Sequence, residues 1–126
     1  MFNRTGVERV SAGAPTQILF NVQNQMGVSI KVAQAAGVVE GSKTLVKAGT
    51  PLAGDLLDRE TAFTAASGAD AVGVLLHDVD VTNGDAIGSL LVWGFVNVNR
   101  LDDGTQAKIT DSVAQALKGC VWFLKD

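Results

Sequence analysis

Apolar and polar residues alternate along most of the chain from Gln17 onward. Ile18, Phe20 and Val22 alternate with Leu19, Asn21 and Gln23, and after Gly27 the same period returns in Val28-Ser29-Ile30-Lys31-Val32. Successive side chains leave opposite faces of a strand, so this period predicts half-buried strands rather than helices. Val38-Val39 and Thr44-Leu45-Val46-Lys47 predict two further short strands. The run Lys47-Ala48-Gly49-Thr50-Pro51-Leu52-Ala53-Gly54 is rich in turn formers. Pro51 has no N–H to give to a ladder and argues against a central strand there. Residues 55–67 fit two descriptions: a short helix carrying Leu56, Leu57, Glu60 and Phe63, or a hairpin with Thr61-Ala62-Phe63-Thr64 as one arm.

The segment Ala71-Val72-Gly73-Val74-Leu75-Leu76 is continuously apolar, which suits a strand buried on both faces. It then turns to alternation, with Val79 and Val81 on one face and Asp78, Asp80 and Thr82 on the other. Asn83-Gly84 follows, and both residues tolerate positive φ, so a tight turn leading into a hairpin is expected. Ser89 to Asn99 reads as a long returning strand in which Gly94 marks a bulge or a close backbone approach. Only one helix is expected. Thr110 is its N-cap, Asp111 favours its positive end, Val113, Ala114 and Leu117 form its apolar stripe, and Gly119 stops it. Val121-Trp122-Phe123-Leu124 closes the chain as a strand.

Before all this, residues 1–17 show no period. Arg4, Thr5, Glu8, Arg9, Ser11, Gly13, Pro15 and Thr16 interrupt the apolar positions. The expected organisation is an N-terminal arm (1–17) and one β-rich domain (18–126). The arm reads as mobile, ordered only against a partner, or a plain frayed end. The fold class expected is mainly β: a small Gly-rich β-sandwich or barrel-like domain with one short C-terminal helix and an extended N-terminal arm.

Composition narrows the function classes. The 126 residues hold 14 Gly against 2 Pro, with 5 Phe, 2 Trp and no Tyr. Surface scaling lets a chain of this size bury about two-thirds of its unfolded surface, so a core is attainable without metals or disulfides. The net charge is -3, and the 10 Lys and Arg are spread singly, which is no footprint for nucleic acid or for a membrane surface. The stretch Ala86 to Val96 contains Gly88, Ser89 and Gly94 and is too short to span a bilayer. The start, Met1-Phe2-Asn3-Arg4-Thr5-Gly6, lacks the apolar core of a signal peptide, so a soluble chain made inside the cell is expected. The single cysteine, Cys120, excludes an internal disulfide and a multi-cysteine zinc site.

Candidate chemistry centres on His77, Asp78, Asp80 and Asp85. Asp78-x-Asp80-x-Thr82-Asn83-Gly84 misses the calcium-loop pattern: Gly falls one place late, and Ser89 stands where a bidentate Glu is needed. On a strand His77 and Asp78 would face opposite ways, so a polar strand face beside a turn is the better reading. No Gly-x-Ser-x-Gly elbow, His-Glu-x-x-His pair or phosphate-binding loop is present, and Gly37-x-x-x-Gly41 and Gly49-x-x-x-x-Gly54 lack the Lys-Ser/Thr ending. No enzymatic activity and no cofactor are therefore expected. Cys120 reads as a buried thiol and His77 as a structural or interface imidazole. Phe95 and Phe123 suit a core, and Trp93 suits a core or a subunit contact, where Trp is enriched.

Read whole, one segment resembles the capsid-binding domain of tailed-phage head decoration and head-fibre proteins. The carrying residues are Ala71-Val72-Gly73-Val74-Leu75-Leu76-His77-Asp78-Val79-Asp80-Val81-Thr82-Asn83-Gly84-Asp85 and Gly94-Phe95-Val96-Asn97-Val98-Asn99-Arg100-Leu101. The Val46 to Leu52 turn and the Ile109-Thr110-Asp111 helix start fit the same pattern, so the likeness covers about Thr44 to Leu124. It implies a structural virion protein that forms a homotrimer at threefold or quasi-threefold positions and clamps the outer capsid surface. The implied partners are the major capsid protein and further copies of the chain, with no nucleic acid and no membrane. The implied location is the virion's outer surface, after synthesis in the host cytoplasm. In that setting the arm, with Phe2, Arg4, Val7 and Arg9, would contact the capsid, and His77, Asp78, Asp80 and Trp93 would form the subunit interface. The chain departs from head fibres in ending at Asp126 without a collagen-like or coiled-coil extension, which favours decoration over a fibre. A head-fibre base or a glycan-binding β domain is the alternative binding module.

Overall fold

The computed structural model describes residues 17–19 and 25–125. Within them the strands are β1 (Met26–Val32), β2 (Val38–Glu40), β3 (Lys43–Val46), β4 (Pro51–Ala53), β5 (Thr64–Ala65), β6 (Gly73–Leu75), β7 (Val79–Asp80), β8 (Ala86–Asn97) and β9 (Val121–Leu124). Two short helices, α1 (Asp103–Gln106) and α2 (Asp111–Ala116), lie between β8 and β9. The larger sheet runs β1-β8-β6-β4-β5, with β9 added on β8, and the smaller runs β2-β3-β7. The protein is thus a small, mainly β domain, with two sheets and no closed barrel among the described residues.

The centre of the fold is the antiparallel pairing of β6 with β8, where Val74 meets Leu91 and Leu75 meets Leu90. All four side chains are fully buried, because the sheet is covered on both faces. Leu75 and Leu90 join Ile30 and Val32 of β1, Leu52, Phe63, and Val46, Val79 and Val81 from the smaller sheet. Val74 and Leu91 point the other way, into a core completed by Leu101, Val113, Leu117 and Val121. The continuous apolar run Ala71–Leu76 is this two-faced strand.

The expected β1, β2, β3, β9 and α2 all form, and the alternation expected from Ile18 to Gln23 lies largely outside the described residues. Thr110 caps α2 by accepting the Val113 N–H at 3.4 Å, and Gly119 stops the segment in a left-handed conformation at φ 84°. Ala114 departs from the expected stripe. It faces solvent, and Val113 and Leu117 alone make the buried contact.

Four further differences have local causes. Pro51 opens β4, an interior strand between β6 and β5. As the first residue it needs to give no ladder N–H, and its carbonyl accepts the Ala66 N–H at 3.0 Å. Residues 55–62 form neither helix nor strand, and the hairpin arm begins later, at Thr64, which pairs with Ala53. The Asn83-Gly84 turn is present, with the Gly84 N–H donated to the Val81 carbonyl at 3.1 Å. It does not make a hairpin: β7 pairs with β3, and the turn carries the chain from the smaller sheet into the larger. The bulge in β8 falls at Val92, which is skipped between Met26↔Trp93 and Gly27↔Leu91. It lets Leu91 and Val96, five residues apart, point into the same core. At Gly94 the neighbours are side chains rather than backbone: a Cβ there would stand 3.1 Å from Leu91 Cδ1 and 3.3 Å from Gln25 Cβ.

The tightest backbone approach is at Gly73 of β6, where a Cβ would sit 2.6 Å from the Leu91 carbonyl oxygen and 2.9 Å from Leu90 Cγ. Gly73→Ala is expected to destabilise the fold by about 1–3 kcal/mol through overpacking. Gly104→Ala, in the exposed α1, is expected to be neutral or stabilising by up to about 1 kcal/mol. Urea midpoints at constant m-value check both.

Candidate interaction surface

The acidic cluster singled out by sequence serves the backbone. Leu76 and His77 bend out of β6, so His77 and Asp78 are not strand neighbours with opposed side chains, and both are exposed. The Asp78 carboxylate accepts the Ala48 N–H at 2.7 Å and ties this bend to the 47–50 turn. Asp80 accepts the N–H of Thr82 at 2.9 Å and also its hydroxyl, while Thr82 Oγ1 accepts the Thr44 N–H at 2.9 Å. Asp85 accepts the Gln34 N–H at 2.8 Å. Each carboxylate therefore pins a loop. Among the described residues, no group of three or more His, Cys, Asp and Glu comes together in a way that could hold a metal ion.

Trp93 stands elsewhere. A Cβ built on Gly88 of β8 would meet Val79 at 2.7 Å, and Trp93 lies five positions further along the strand, or roughly 16 Å. The predicted interface set is thus divided between two places. At the Trp93 end, β1, β8 and β9 lie side by side, pairing Met26 with Trp93 and Phe95 with Trp122. Trp93 and Phe95 meet edge to face with ring centroids 6.1 Å apart. Val121 and Phe123 turn into the core, which leaves Trp122 and Leu124 on the other face with Phe95. The outcome is an apolar stripe of Met26 (57% exposed), Trp93 (43%), Trp122 (44%) and Leu124 (42%).

This stripe continues the sheet face that carries Ile30 and Leu90, beyond the reach of the smaller sheet that covers them. A wholly exposed aromatic side chain would present about 150–250 Å²; with less than half of each Trp exposed beside Met26 and Leu124, the stripe is of the order of the few hundred Å² that mark the largest patch on a monomer. Met26, Trp122 and Leu124 were not singled out by sequence. Val121-Trp122-Phe123-Leu124 is apolar throughout, so no polar alternation reveals which face is bare.

Other candidates are placed as follows. Phe123 packs against the core as expected. Cys120 is exposed rather than buried: it occupies the connection from α2 to β9, and Val121 takes the inward position. Phe2, Arg4, Val7 and Arg9 lie outside the described residues. Where the arm joins the domain, Arg100 donates to the Gln17 carbonyl at 3.1 Å, and the Asn97 N–H donates to Ile18 at 2.8 Å. Lys47, Asp78, Arg100 and Asp102 line a cleft of about 270 Å³ beside this junction. Lys47 is held there by Glu40 at 3.1 Å, and the Glu40 hydrogen bond pushes its pKa up. No helix among the described residues is long and apolar enough to cross a membrane. Compared with models of known families and with curated proteins, the chain matches none.

Two carboxylates are held below their ordinary pKa range. The Thr82 hydroxyl, followed by its N–H, holds Asp80 below the usual carboxylate range. At Asp70 partial desolvation pushes the pKa up, but the N–H groups of Ser67 and Gly68 outweigh it and the net shift is downward. Folded values below unfolded ones mean stability that is present above about pH 4 and lost as pH falls through the lower folded values. Melting temperatures between pH 5 and 2 are expected to fall less steeply in Asp70→Asn and Asp80→Asn than in the parent chain.

Proposed function

We propose that this protein is a structural virion component that binds the outer surface of an assembled phage capsid and stabilises the shell. It acts as a trimer at threefold or quasi-threefold positions. The observation that carries this reading is the segment Ala71–Leu101. The residues that carry the resemblance to head decoration and head-fibre proteins include β6, β7 and the end of β8, Gly94 to Asn97, all of which line the two cores or their edges.

The exposed stripe supports it. A protein that works by being covered carries apolar surface that its folded domain leaves bare, and Trp is the residue most often found at the energetic centre of such contacts. In this reading the stripe meets protein in the assembled particle, and the arm, with Phe2, Arg4, Val7 and Arg9, adds a second contact to the shell. Three equivalent copies engage together, so modest individual contacts hold by avidity.

Purified protein added to undecorated capsids is expected to bind to saturation and to raise the temperature at which the shells open. Absence of saturable uptake overturns the reading. Trp93→Ala is expected to weaken uptake roughly 10- to 100-fold, as loss of an interface hot spot does. Unchanged uptake in that variant, with loss on removal of residues 1–16, would move the contact from the stripe to the arm.

A further inference from the structure

We propose that in the free chain residues 1–16 fold back over the aromatic stripe and cover Trp93 and Trp122, a strap that must lift before the stripe meets another protein. Among the described residues nothing covers this surface. Met26, Trp93, Trp122 and Leu124 are each between 42% and 57% exposed, and a contiguous apolar patch of this kind in water invites unspecific association. The opposite sheet face at this end is closed by α2, whose Val113 and Leu117 pack with Val96 and Val121. An apolar segment arriving here therefore finds one face open.

The chain enters the domain beside that face. Val96 takes Leu19 as its partner on one edge of β8 and Phe123 of β9 on the other, so residues 17–19 and β9 flank the same stretch of strand. Two strand spacings, roughly 10 Å, separate the entry from Leu124. The entry is also anchored. The Asn97 N–H donates to the Ile18 carbonyl at 2.8 Å, Arg100 donates to the Gln17 carbonyl at 3.1 Å, and the Leu19 N–H donates to the Gln17 side chain at 2.9 Å. Whatever precedes Gln17 thus starts from a fixed point at the Leu124 end of the stripe.

Length and composition fit the task. The stripe runs from Leu124, the partner of Asn97, to Met26, the partner of Trp93. That is four positions of β8, or roughly 13 Å. Traced back from Leu19 to Gln17, the chain heads away from Trp93 and must reverse to reach it. Gly13 and Pro15 stand directly ahead of the entry, and both are turn-forming residues. Extended, residues 1–12 span up to roughly 40 Å, ample for the approach and the stripe together. They carry Val7 and Val10 for apolar contact, with Arg4 and Arg9, whose guanidinium groups are attracted to the faces of indole rings. Charge favours the same partner: the arm holds Arg4 and Arg9 against Glu8, whereas the chain as a whole is net -3. That the strap lifts on a capsid rests on the reading in the preceding subsection; its cover of the stripe in the free chain does not.

The chain's two tryptophans are the two of the stripe, so tryptophan fluorescence of the full chain reads the strap directly. Val7→Ser combined with Val10→Ser is expected to raise acrylamide quenching about twofold and to move the emission to the red, as indole surface returns to water. Both positions precede the domain, so its circular dichroism should be retained, which separates a lost strap from lost folding. Proximity gives a second readout. Cys120 is exposed and directly precedes Val121, the partner of Gly94, which puts it at the Trp93 end of the stripe. Val7→Cys is expected to oxidise to an internal disulfide with Cys120 and to keep a single-chain mass. Equal quenching in the parent and double-serine chains, protection that grows with protein concentration, or Val7→Cys thiols that pair only between chains would overturn the strap. Capsid uptake is scored separately. Protected tryptophans in a chain that ignores capsids overturn the proposed function alone, and uptake by a chain whose tryptophans are open from the start overturns the strap alone.

Discussion

The pairing of β6 with β8 is the constraint on which the rest of this structure depends. Three residues of β6 and the middle of β8 are buried from both sides, so where the two strands pair neither has a solvent face. A two-faced strand must be apolar throughout and must admit its neighbour's backbone closely, which is why a glycine stands at position 73. Everything else in the fold is cover. The smaller sheet closes one face and α2 with its flanking loops closes the other, each over a different stretch of β8.

That offset explains the surface. β8 is 12 residues long, roughly 40 Å, and neither cover is as long as the strand. Each face is therefore bare at one end, and the bare ends are diagonal: Ile87 with Lys31 on one face, Trp93 with Trp122 on the other. Two separate apolar surfaces follow from one mismatch of lengths. The carboxylates of the 78–85 segment, by contrast, are engaged in holding backbone N–H groups, which leaves the surface chemistry to aromatic and aliphatic groups.

Much of this was legible in the order of residues, and the misreadings share a cause. Alternation located β1, and the unbroken apolar run identified the two-faced strand, because burial writes itself directly into residue type. Pairing partners are not written that way. Val79 and Val81 show which side of β7 is inward but not that the sheet beneath is another one, so the Asn83-Gly84 turn looked like a hairpin. Pro51 looked disqualifying because its missing N–H matters only inside a strand, and sequence does not say that it comes first. At Leu56-Leu57 two adjacent apolar residues fitted a helix; the flanking aspartates, which fold the tip back on itself, were the signal for a turn. Trp93 fitted a core or a contact equally and proves to be exposed, while its neighbours Met26, Trp122 and Leu124 come from strands whose assembly only the fold reveals.

The register of β1 on β8 also governs how the chain reaches its structure. Ile30 lies opposite Gly88, so its cross-strand partner is made 58 residues later. At about 5–20 residues per second, a ribosome leaves the apolar face of β1 without its neighbour for roughly 3–12 s. Residues 59–63, made earlier, hydrogen-bond to the other edge of β1, but the edge that β8 takes must await closure of the long intervening loop. The gap makes nascent chains vulnerable: those that stall before β8 expose Ile30 and Val32 to whatever strand they meet first. Lys31 sits between them, a charge that discourages such pairing during the wait.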